Sequence, residues 1–176
     1  MNRALKGFLI LFGLLLTILS GLYLFLHVAF DGIFSEPSYS KKDLIENYEK
    51  RKDDIVDAEK YFKSILPEGA HVTIEFNNNK EIAVFHIKTD SIYQSNWNLK
   101  IESPKVDSIL TQLNWTNKEL KTLKEKLDKA NCISIGSYEP VVIGWQRSGM
   151  GMFSYLVFEE NLNEGKIEEY NDGCTN

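Results

Sequence analysis

Residues 71–87 read HVTIEFNNNKEIAVFHI, and the periodicity of the chain changes there. Val72, Ile74 and Phe76 alternate with His71, Thr73 and Glu75. Asn77, Asn78 and Asn79 turn the chain, and Ala83, Phe85 and Ile87 resume the apolar alternation. Neighbouring strand residues point to opposite faces, so the pattern predicts an antiparallel hairpin with one apolar side. His71 and His86 alternate outward, and Glu75 shares the strand face of His71.

Upstream the period is 3.6. Ser40 reads as a helix N-cap with Asp43 three residues on, and Leu44 is placed to pack back on Tyr39. Leu44, Tyr48, Ile55, Ala58, Phe62 and Ile65 mark one apolar stripe, which ends before Pro67-Glu68-Gly69. The opposite face is charged, with pairs such as Glu46–Lys50 at the i, i+4 spacing.

Downstream, Trp97, Leu99 and Ile101 alternate as a third strand, and Ser103-Pro104 opens a short helix through Leu110. Thr116 with Glu119 forms a capping box, and Trp115 with Leu120 the matching staple, of a helix running through Leu123 and Leu127 to about Ala130, closed by Asn131. Four short β runs follow, at 133–135, 141–147, 152–158 and 166–170, separated by Gly-, Asn- and Pro-containing turns. The expected fold is α+β: a long amphipathic helix, antiparallel strands, a helix pair, then a C-terminal antiparallel meander.

Further upstream, residues 7–30 read GFLILFGLLLTILSGLYLFLHVAF without one Asp, Glu, Lys or Arg. As a helix this run would be about 36 Å long, against about 30 Å of bilayer hydrocarbon. A cleaved secretory signal has an apolar core of about 7–15 residues and a small-x-small cleavage site. Leu26, His27, Val28, Ala29 and Phe30 offer no such site, so an uncleaved signal-anchor is expected. The domain reading is a short cytoplasmic terminus at 1–6, a transmembrane helix at 7–30, a linker at 31–39 and one α+β domain at 40–176. Arg3 and Lys6 set the amino end inside and the bulk outside, although Lys41 and Lys42 reduce the asymmetry. Cys132 and Cys174, the only two cysteines, form a disulfide candidate consistent with an oxidising compartment. The alternative is a pair of thiols on a domain held in the cytoplasm. Gly13, Thr17 and Gly21 form a small-residue stripe that would admit a homodimer within the bilayer.

Of 20 basic and 25 acidic residues, only Arg3 and Lys6 precede the apolar run, so the remainder carries about −7. That argues against nucleic acid, which requires a concentrated cationic stripe. The lysine-, asparagine- and isoleucine-rich composition points to an AT-rich bacterium, hence a bacterial cytoplasmic membrane. No H-x-x-x-H, C-x-x-C or G-x-S-x-G pattern occurs, and no cofactor or metal is implied. The run SGMGMF lacks the Lys-Ser/Thr ending of a phosphate loop and reads as a hairpin turn. Most of Trp97, Trp115, Trp145, Phe153, Tyr155 and Phe158 fit core positions, with Trp145 and Tyr155 as the alternative lining of a partner groove. Two functional readings follow. One is an envelope-associated binding module for a protein or cell-wall component; the other is a tethered hydrolase built around His71, Glu75 and His86.

Overall fold

The computed structural model describes residues 3–34, 39–148 and 151–158. The chain divides into two compact units. One is built on helix α1, Arg3–Phe34, 32 residues long. Every side chain from Leu11 to Leu26 is exposed, although the helix is apolar on all sides. Among the described residues no helix is long and apolar enough to cross a membrane.

The second unit is α+β. Helix α2 (Lys41–Ile65) precedes strands β1 (His71–Phe76), β2 (Glu81–Lys88) and β3 (Tyr93–Lys100). Helices α3 (Pro104–Gln112) and α4 (Asn117–Lys129) then lead to β4 (Ser134–Gly136), β5 (Val141–Ser148) and β6 (Gly151–Val157). The sheet is antiparallel with strand order β3-β2-β1-β4-β5-β6. Two meanders thus grow outward from a central seam, where Thr73, Ile74 and Glu75 of β1 face Gly136, Ile135 and Ser134 of β4. The expected strand at 166–170 lies outside the described residues.

Local chemistry sets the helix ends. At α2 the Ser40 side chain accepts from the Asp43 N–H while the Asp43 carboxylate accepts from the Ser40 N–H at 2.9 Å. Thr116 and Glu119 repeat the box at α4. Both later helices close on asparagines in the left-handed region, Asn114 (φ 52°) and Asn131 (φ 54°), where a short polar side chain is tolerated. The Cys132 N–H then reaches the Leu127 carbonyl and the Asn131 N–H the Asp128 carbonyl, so the last turn leaves few orphan acceptors.

One face of the sheet is covered by the core. Ile55, Ala58 and Phe62 of α2 and Leu120, Leu123 and Leu127 of α4 are buried with Val72, Ile74, Phe85, Ile87, Ile135 and Ile143 from the strands. Each such aliphatic or aromatic side chain contributes on the order of 1.5–3 kcal/mol by leaving water. Trp115 lies within this core, 6.2 Å from the Phe62 ring, and its indole N–H donates to the Ile65 carbonyl at 2.6 Å. Lys126 of α4 and Asp57 of α2 pair at 2.5 Å along the rim.

The stripe on α2 departs from its sequence pattern at one turn. Asn47 is buried and Tyr48 exposed. The Asn47 amide donates to the Ala130 carbonyl at 3.2 Å and to the Tyr155 hydroxyl at 2.9 Å, and accepts from Asn131 at 3.0 Å. Tyr155 in turn donates to the Leu44 carbonyl. A polar group with all its bonds made is cheap to bury. This one pins α2 to the end of α4 and to β6.

Candidate functional site

The strand registers assemble the sheet's other face into rows. Tyr93, Lys88 and His71 lie side by side, and Ser95, His86, Thr73 and Gly136 form the next row. Trp97, Val84, Glu75 and Ser134 form the third. No described helix covers this surface as α2 and α4 cover the core side, and Tyr93, Trp97 and Tyr138 stand 76%, 59% and 56% exposed.

Two backbone irregularities make the arrangement. The β1–β2 register shifts between Glu75 and Phe76, which pair with Val84 and Ile82 and leave Ala83 as the extra residue. Ile82 therefore takes the inward slot expected for Ala83, while Phe85 and Ile87 point inward as expected. On β3, Asn98 sits at φ 54° and breaks the alternation. Leu99 packs against the core, whereas Trp97, two residues earlier, faces the open side. The expectation that Trp97 and Leu99 share one side is corrected by that residue. Trp145 and Tyr155 do not line a groove. Trp145 is buried against Tyr39 at 4.9 Å, and Tyr155 is tied into the Asn47 network.

Two glycines shape the middle of the face. A Cβ on Gly136 would lie 3.1 Å from Thr73 Oγ1 and 3.4 Å from Tyr138 Cδ2. Its absence lets Tyr138 come down beside His71, stacked at 6.4 Å between centroids. A Cβ on Gly144 would sit 2.1 Å from both Met152 Sδ and Ser134 Oγ, so glycine there admits the contact between those two side chains.

The register does bring His71, Glu75 and His86 to one face. Their partners are structural. Arg147 grips the buried Glu75 carboxylate with two bonds of 2.7 Å, tying β1 to the far end of β5. His86 meets the Trp97 ring edge-on at 5.4 Å, and its Nε2 is enclosed without a hydrogen-bond partner. Among the described residues no group of three or more His, Cys, Asp or Glu is placed to hold a metal ion. No protein-family model, curated protein or solved structure matches the chain.

Two concavities can be compared, one on this face and one among the helices. One, of about 320 Å³, opens on the face itself, between Tyr93 and Tyr138. The other, of about 640 Å³, lies among Phe76, α3 and α4 and is lined by Glu102, Asp107, Lys121, Lys124, Glu125 and Asp128. Four carboxylates there face two lysines, of which Lys124 pairs with Asp128 and sits 5.6 Å from the Phe76 ring. The smaller concavity has no carboxylate in its lining.

Cys132 is buried, with its thiol 3.4 Å from the Ala130 carbonyl. Burial pushes that thiol up to about 12, because the thiolate would have to be desolvated. Cys174, its disulfide candidate, lies outside the described residues.

Proposed function

We propose that this chain is a membrane-tethered binding module, with α1 as a single-pass anchor and the uncovered sheet face as its interaction surface. The observation that carries the binding half is the trio Tyr93, Trp97 and Tyr138. These are large rings left in solvent on a sheet whose other side already supplies a full core. The anchor rests on the uncharged run at 7–30 and on the all-round exposure of Leu11–Leu26, an apolar surface that lipid would satisfy and water would not. Arg3 and Lys6 favour the amino end in the cytoplasm, leaving the α+β unit to meet a protein or cell-wall component outside.

The hydrolase reading has less behind it. Glu75 is held by Arg147 and the Nε2 of His86 is enclosed, so neither is poised as a general base. Fractionation of the full-length protein tests the proposal. Retention in the membrane after alkaline carbonate extraction, with digestion of the α+β unit by protease added outside spheroplasts, supports it. Release by carbonate, or digestion only after lysis, overturns the anchor or its orientation respectively.

A further inference from the structure

We propose that the concavity between Tyr93 and Tyr138 is a subsite for a carboxylate-bearing sugar within a glycan chain. The assignment deepens the binding reading above and rests on it. Three features of the site converge. The first is charge. On a chain of net charge −5, this patch presents the Lys88 ammonium and no carboxylate among its lining residues. Asp90 and Glu139, close by along the chain, do not line it, and Glu75, on the same face, is held by Arg147. An anion is thus the complementary partner for this patch.

The second feature is shape. About 320 Å³ is at the small end of ligand pockets, enough for a monosaccharide unit. The third is the kind of surface on the rim. Tyr93 and Tyr138 offer exposed rings, apolar on the face and polar at the hydroxyl. Pyranose rings present the same mixture, with C–H groups on one side and hydroxyls at the edge. Thr73 and the His71 imidazole lie between the two tyrosines to meet those hydroxyls. Single-stranded nucleic acid also stacks on aromatic sheet faces, but its backbone needs a run of cations, and this patch supplies one lysine.

The experiment titrates the full-length protein in detergent micelles, by calorimetry, with three probes: a tetragalacturonate, neutral cellotetraose and an oligothymidylate of eight residues. Binding of the tetragalacturonate at least tenfold tighter than cellotetraose is expected. That binding should weaken at least tenfold in Lys88→Gln and in Tyr138→Ala, and stay unchanged in Lys80→Gln, on the Asn77–Lys80 turn. Both Lys88 and Tyr138 are exposed, so neither variant removes core packing. Equal binding of the two sugars, or uronate binding indifferent to Lys88→Gln, overturns the proposal. Preference for the oligothymidylate overturns it too, but leaves the face standing as a binding surface. No binding by any probe removes the sugar assignment, while membrane retention is read separately by fractionation.

Discussion

The two faces of the sheet are built from the same strands and obey different rules. On the covered side every large residue has an apolar neighbour: Ile74, Phe85 and Ile135 meet α2 and α4, and packing alone accounts for each. On the uncovered side, beside Val84, Gly136 and the arginine-held Glu75, stand histidines, a lysine, hydroxyls and exposed rings that core packing does not account for. Residues that the fold does not need, gathered on one surface, are the better guide to what the fold is for.

That contrast breaks if variants on the two sides have similar consequences. The largest loss belongs to the covered side: Phe62→Ala should cost about 3–5 kcal/mol in denaturant unfolding of the full chain, by opening a cavity beside Trp115. A loss under about 1 kcal/mol would mean that the core is looser than its burial implies. Next comes Arg147→Met, which leaves the buried Glu75 carboxylate without its partner, at roughly 2–3 kcal/mol, moderated because Arg147 is itself partly in solvent. Asn47→Leu strands the Ala130 carbonyl and the Asn131 amide, and should cost about 1–2 kcal/mol in the same assay. Trp97→Ala should move the unfolding midpoint by no more than about 0.5 kcal/mol, because its ring is mostly in solvent. A larger drop would put Trp97 among the structural residues.

Smallest at neutral pH is the effect of Cys132. Folding holds this thiol protonated, so the native state binds its proton more tightly than the unfolded chain. Stability is then flat below the ordinary thiol range and falls as pH rises toward about 12. Tyr155, also raised by burial, adds to the same alkaline slope. Native protein at pH 7 should therefore leave Cys132 unlabelled by iodoacetamide with or without reductant, whereas protection released only by reductant would support a Cys132–Cys174 bridge.

Much of the covered side was legible in the sequence because its signals are short-range. Ser40–Asp43 and Thr116–Glu119 announce their helices within four residues, and Val72, Ile74 and Phe76 alternate within one strand. The uncovered side was harder. Whether Trp97 faces in or out depends on Asn98 adopting a left-handed conformation, and no alternation pattern carries that information. The burial of Asn47 has no local signal, because its partners, Ala130, Asn131 and Tyr155, lie far along the chain. The pairing of β1 with β4 joins residues on either side of the helix pair, and periodicity cannot see it. Tyr138 gave a faint signal: an aromatic in a turn, ahead of Glu139-Pro140, has no core to enter.

The central seam has a consequence for how a ribosome delivers this protein. Every other pairing the registers record joins strands close in sequence, while β1 must wait for α3 and α4 to be synthesised before β4 arrives. During that interval β1 is an unfinished edge, its free amides and carbonyls open to another nascent copy. Slowing translation across the helix pair should therefore lower the yield of folded, unaggregated protein more than slowing it anywhere within a meander.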